Sequence, residues 1–109
     1  MEKKYKTFDD LEFESWLGKR YDKFSTVDFM SILKQYENAK QAIMTFPNGY
    51  GVSVLLGKSF YSNGIDTYEV AVIKDGNIYY PEEICPDCDV LGYRIKEEVT
   101  DIMRRVQDL

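Results

Sequence analysis

The stretch that decides the fold is Tyr68-Glu-Val-Ala-Val-Ile-Lys-Asp-Gly-Asn-Ile-Tyr-Tyr80. Side chains alternate along a strand, so Tyr68, Val70 and Val72 share one face and Glu69, Ala71 and Ile73 the other. Asp75-Gly76 follows at once. That pair supplies the positive φ of a two-residue hairpin turn and is the strongest short-range hairpin signal in the chain. Asn77 to Tyr80 then returns as a short strand. Pro81 ends it, having no amide to give to a ladder.

Outward from this hairpin, Tyr50-Gly-Val-Ser-Val-Leu-Leu-Gly57 is the strongest strand. Val52, Val54 and Leu56 point one way, Ser53 and Leu55 the other. Pro47-Asn48-Gly49 before it is a turn signal, and Ile43 to Phe46 reads as a further strand. A polar loop from Lys58 to Asp66 joins the two main strands. The pattern predicts a meander from about Ile43 to Tyr80.

Helical patterns flank the meander. Thr7-Phe8-Asp9-Asp10 has the form of a helix start, with a capping hydroxyl and acids in the first turn. Leu11, Phe13, Trp16 and Leu17 follow at roughly helical spacing, and Gly18 supplies a stop. Ser25 or Thr26 opens a second helix, striped by Phe29, Ile32, Leu33 and Tyr36. Residues 82–93 read as irregular. A last helix begins near Lys96, with Val99, Ile102, Met103 and Val106 on one face. Its acids lie early and Arg104 and Arg105 late, as the helix dipole favours. The expected fold class is α+β, in the order α-α-β-β-β-β-α. An antiparallel three- to four-stranded β-meander packs against N-terminal helices and a C-terminal helix in two layers. A chain of 109 residues supports one core and not two, so residues 1–109 read as a single domain.

Composition narrows the function. The chain has no histidine, which removes the commonest general base near neutral pH and every triad built on one. The formal net charge of -5 and the lack of a Lys/Arg cluster argue against direct nucleic-acid binding. The N-terminus MEKKYKTFDD has no apolar core behind its basic start, and no apolar stretch is long enough to span a bilayer. Two cysteines make no secreted-type disulfide framework. The chain reads as cytoplasmic, with no membrane partner.

Three local motifs have a chemical reading to weigh. Cys85-Pro-Asp-Cys88 has half the spacing of a zinc site, with no second pair or histidine to complete it. Its flanking acids raise a thiol's pKa, the reverse of what redox activity needs. Gly57-Lys58-Ser59 copies the end of a phosphate loop, but the first glycine of that pattern falls on Val52, within a strand. Asp9, Asp10, Glu12, Glu14, Glu97, Glu98 and Asp101 could hold Mg²⁺ only by converging from separate elements, which no signature foretells. No cofactor is expected.

The aromatic residues carry more. Of nine tyrosines, six phenylalanines and one tryptophan, Phe13, Trp16, Phe29, Tyr36 and Tyr68 sit on predicted inner faces, and others fall in loops or at strand ends, where they either cover the small core or offer contact surface. Exposed tyrosine gives rigid, amphipathic contact area suited to protein interfaces. Phe60-Tyr-Ser-Asn-Gly64 is the preferred interaction loop. The candidate protein-binding residues are Tyr50, Phe60, Tyr61, Asn63 and Tyr79, with the acids Glu82, Glu83, Asp87 and Asp89 facing a basic partner.

At Asn48-Gly-Tyr-Gly-Val-Ser-Val54, Tyr68-Glu-Val-Ala-Val-Ile73 and Val90-Leu-Gly-Tyr93, followed by Glu97-Glu-Val99, the chain resembles small uncharacterised proteins carried by phages and prophages of Gram-positive bacteria. The likeness covers roughly residues 46–109, and the cysteine pair departs from it. The resemblance implies a mobile-element accessory protein acting in the bacterial cytoplasm. It also implies a counter-defence role of the anti-CRISPR kind, blocking a host nuclease or its guide complex. The leading expectation is therefore a non-enzymatic protein that binds a host protein or nucleoprotein complex. Two alternatives stay open: a small structural homo-oligomer, zinc-linked through Cys85 and Cys88, and a carboxylate-dependent metal nuclease.

Overall fold

A computed structural model describes residues 5–17, 34, 36–79, 81, 84 and 90–109. Six strands form one antiparallel sheet: β1 (Glu14–Ser15), β2 (Lys40–Thr45), β3 (Tyr50–Leu56), β4 (Tyr68–Lys74), β5 (Asn77–Tyr79) and β6 (Leu91–Arg94). The order is β1-β2-β3-β4-β5, and β6 also pairs with β4. β5 and β6 share one edge of β4: β5 takes Val72 to Lys74, and β6 takes Tyr68 to Val70. β5 thus ends at Tyr79, and β6 begins at Leu91 on the same edge. The register slips between Tyr68 and Val70, and Tyr93 adopts φ 53 in this irregular stretch. A positive φ is rare for a bulky residue and marks a locally bent strand.

The core lies on one face of the sheet. Register sets Val52 beside Val72 and Val54 beside Val70, with Met44 and Ala42 next along from β2. Helix α1 (Lys96–Gln107) crosses this face and buries Val99, Ile102, Met103 and Val106 against it, together with Phe46 and Leu91. Each fully buried aliphatic side chain contributes about 1.5–3 kcal/mol. Both ends of α1 are tied down. The Ile95 N–H donates to Glu98 Oε1 at 3.1 Å, and the Asn48 amide, in the β2–β3 turn, donates to Val106 O at 3.0 Å. The N-terminal segment runs along the helix. Lys6 exchanges two backbone hydrogen bonds with the Gln107 side chain, and the Phe8 N–H donates to Thr100 Oγ1 at 3.1 Å. No helix among the described residues is long and apolar enough to cross a membrane.

This architecture corrects the expected order of two N-terminal helices and a three- to four-stranded meander. The helix expected from Thr7 is a single 3-10 turn, Phe8–Asp10, after which the chain runs extended into β1. The initiating signal is real, because the Thr7 N–H donates to Asp10 Oδ2 at 2.8 Å. Propagation loses to tertiary packing. Leu11 and Phe13 alternate with exposed Glu12 and Glu14, and Phe8 and Phe13 gather round the Tyr68 ring at centroid distances of 5.0 and 5.7 Å. The second expected helix lies mostly outside the described residues. The sheet gains two strands that were not expected. β6 falls in the stretch read as irregular, and β1 falls in the stretch read as helix. β2 also starts earlier, at Lys40.

Candidate functional site

The loop between β3 and β4 is held by two small polar side chains. Ser62 is buried; its hydroxyl donates to Thr67 O at 2.6 Å and accepts from the Gly57 and Gly64 amides at 3.2 and 3.0 Å. Asn63 Oδ1 accepts three successive amides, those of Ile65, Asp66 and Thr67, at 2.8–3.0 Å. Its Nδ2 donates to Asp66 Oδ1 at 2.7 Å, and its backbone N–H to Thr67 Oγ1 at 2.8 Å. Asn and Ser side chains mimic backbone turns in this way, and Gly64 at φ 77 gives the chain its left-handed step. The loop is therefore pre-shaped.

The same loop is clamped to its neighbours. The Tyr61 N–H donates to Glu69 Oε1 at 3.0 Å on β4, and Tyr61 O accepts the Tyr93 N–H at 2.9 Å from β6. Gly92 makes the second contact possible, since a Cβ there would stand 2.7 Å from the Tyr61 Cβ. The two tyrosine rings meet edge to face, 6.4 Å between centroids. Both project outward, Tyr61 60 % and Tyr93 59 % exposed, and Ile65 at the loop tip is 75 % exposed. Ile95 joins this surface across a depression of about 260 Å³ that it shares with Asp66, Tyr68, Lys96 and Glu97. Burial pushes the Tyr68 hydroxyl above its ordinary pKa, with the Asp66 charge adding in the same direction.

The predicted residues divide between two ends of the sheet. Tyr61 and Asn63 lie in the loop just described, one as contact surface and one as its frame. Phe60 turns inward, packing on Trp16 and Tyr36 at 5.7 and 5.8 Å, while Trp16 and Tyr36 stack at 4.3 Å. Tyr50 and Tyr79 pair at the other end of β3, about 20 Å away along a seven-residue strand. There Lys74 Nζ sits 5.0 Å from the Tyr50 ring centroid and 5.5 Å from that of Tyr79. The Tyr50 hydroxyl, acting first through a side-chain hydrogen bond and then through its charge, holds Lys74 above the usual lysine range. Glu82, Glu83, Asp87, Asp89, Cys85 and Cys88 lie outside the described residues. Among the described residues, no group of three or more His, Cys, Asp or Glu is placed to hold a metal ion. No family model, curated protein or solved structure matches the chain. Sequence reasoning did not assign Ile65, Ile95 or Gly92 to the site. The signal for Gly92 and Tyr93 was the Leu-Gly-Tyr run, whose glycine invites a close approach of another chain segment.

Proposed function

We propose that this chain works by binding another protein through the surface made by Tyr61, Ile65, Tyr93 and Ile95. The observation that carries the reading is a rigid loop presenting large apolar side chains to solvent. Loops that expose apolar groups lose affinity to ordering entropy unless they are fixed beforehand, and here Ser62 and Asn63 fix the loop. Aromatic anchors of this kind dominate binding energy at protein interfaces. The carboxylates of Asp66 and Glu97 beside them favour a partner with basic side chains. The wider setting rests on the sequence resemblance: an accessory protein of a phage or prophage, in the bacterial cytoplasm, that binds and blocks a host defence nuclease.

The test uses three baits in a Gram-positive host lysate: the native chain, a Tyr61→Ala/Ile65→Ala variant, and Tyr79→Ala from the far end of the sheet. A partner recovered by the native chain is then purified and titrated against all three. The double variant should bind it at least about 30-fold more weakly, two anchors each contributing about 1 kcal/mol or more. Tyr79→Ala should bind as the native chain does. Equal affinity for the native chain and the double variant overturns the assignment.

A further inference from the structure

Strand β6 carries a tyrosine where the backbone asks for a smaller residue. Tyr68 pairs with Arg94 and Val70 with Leu91, so Gly92 and Tyr93 together oppose Glu69. Two residues against one is a β-bulge, a device that bends a strand and re-aims a side chain. Tyr93 adopts φ 53 in this bulge. A left-handed angle crowds the Cβ of an L-residue against the following carbonyl, and glycine or asparagine takes such a position when nothing else is asked of it. The glycine of this bulge stands one place earlier. Gly92 has no positive φ, and its role is the close approach of Tyr61.

The fold gains little from a ring at position 93. The ring lies outside the core cluster, the residue is 59 % exposed, and its contact is with the Tyr61 ring, edge to face at 6.4 Å. The hydrogen bond it makes is a backbone one that any residue but proline could supply: the Tyr93 N–H donates to Tyr61 O at 2.9 Å. Tyr61 is fixed in turn, its N–H donating to Glu69 Oε1 at 3.0 Å. Pairing with β4 at Leu91 and Arg94, and with Tyr61 at Tyr93 itself, over-determines the strained angle. The backbone there is not free to relax.

We infer that Tyr93 is the central anchor of the protein-binding surface, its ring aimed by the bulge and held there by strain that the fold bears. The inference rests on the protein-binding reading and adds which residue sets the affinity and why. Strain kept at a surface position, where the side chain gains no burial, belongs to a ligand clamp and not to the core. A ring on a fixed backbone also loses little freedom when a partner covers it. Gly92 and Glu69 are positioning residues: one admits Tyr61 to the bulge, and the other ties it there.

The test uses three variants at this one position, each melted and each titrated against the purified partner that the native chain recovers. Alanine and glycine both remove the ring, but only glycine is at ease at φ 53. Tyr93→Gly should therefore melt above Tyr93→Ala by about 4 °C or more, the reverse of their order at an ordinary strand position. Both should bind the partner at least about tenfold more weakly than the native chain. Tyr93→Phe, which keeps the ring at the same backbone angle, should bind within about threefold. A tyrosine that only braced the fold would make affinity follow stability, with Tyr93→Gly binding more tightly than Tyr93→Ala; that result overturns the anchor. Tyr93→Gly melting below Tyr93→Ala overturns the strain. A partner bound as tightly by Tyr93→Gly as by the native chain overturns the inference alone and leaves the surface to Tyr61 and Ile65. A native chain that recovers no partner overturns the protein-binding reading, and this inference with it.

Discussion

A glycine can be required by its own backbone angle or by what lies beside it, and the two kinds respond differently to a methyl group. Gly76 has φ 82 and nothing within 4 Å of where a Cβ would stand. With Asp75 at φ 54, it completes the left-handed pair that a two-residue hairpin turn needs. Gly51 has an ordinary φ, but a Cβ there would overlap the Met44 carbonyl oxygen and stand 3.0 Å from Thr45 Cα. Those are backbone atoms of a paired strand and cannot swing aside. Gly51→Ala should therefore cost about 3 kcal/mol by forcing β2 from β3. Gly76→Ala should cost about 1–2 kcal/mol, the strain of a left-handed alanine. Urea midpoints of the two variants decide between these accounts. A loss at Gly76 equal to or larger than that at Gly51 would show that strain, and not crowding, governs the sheet. The sequence announces the first glycine through Asp75-Gly76. It does not announce the second, because the crowding atoms belong to another strand.

At the scale of elements, turns and helices are read through each other. Asn48 was legible as a turn residue before β3. It also closes α1, because its Nδ2 donates to Val106 O at 3.0 Å and Gln107 O at 3.3 Å while its Oδ1 accepts the Tyr50 N–H at 3.1 Å. The last carbonyls of a helix have no partner within it, so this amide serves as a C-cap supplied by a hairpin. Asn48→Ala should cost about 1–2 kcal/mol. Hydrogen exchange should speed up in the last turn of α1 and at Tyr50, ahead of Val52 and Val70 in the core. Unchanged exchange at Val106 to Asp108 would remove the cap. Strands β3 and β4 were readable because seven residues of β-branched alternation state their own period. β1 has two residues and β6 has four, one of them Gly92, and so few residues carry no period. Their strand state comes from the edges they meet. The same reason hid half of the interaction surface. Tyr61, Asn63 and Ile65 are in the loop itself, whereas Tyr93 joins them through its backbone hydrogen bond to Tyr61 and Ile95 across the depression it shares with Asp66. Phe60 was misjudged as surface because the rings that draw it inward, Trp16 and Tyr36, are remote in sequence.

The whole molecule makes a prediction about pH that no single element makes. With no histidine in the chain, no side chain of ordinary pKa changes charge between about pH 5 and pH 8. The resolved shifts fall on either side of that window. On the acid side, the hydrogen bond from Arg104, reinforced by the Arg105 charge, holds Asp101 below its ordinary value of 3.8. A lowered carboxylate stabilises the fold above that value and loses the contribution as pH falls through the folded pKa. On the alkaline side, burial and then Asp66 raise Tyr68 above 10.0, and the Tyr50 hydroxyl raises Lys74 above 10.5. Each raised group stabilises the fold fully below its unfolded value and loses the contribution as pH climbs through the folded one. The groups are largely solvent-screened, so each step is small. Thermal unfolding midpoints should then be level from about pH 5 to pH 8, fall below about pH 4, and fall again above about pH 10. A Cys85→Ser/Cys88→Ser variant run in parallel isolates the thiols, whose ordinary pKa of about 8.5 borders the plateau. A step between about pH 6 and pH 7.5 that survives in this variant would mean that a carboxylate carries a pKa raised far above its range. That carboxylate would be a stronger functional candidate than any residue on the Tyr61–Tyr93 surface. A level plateau is the expected outcome for a chain without histidine whose carboxylates all titrate in or below their usual range.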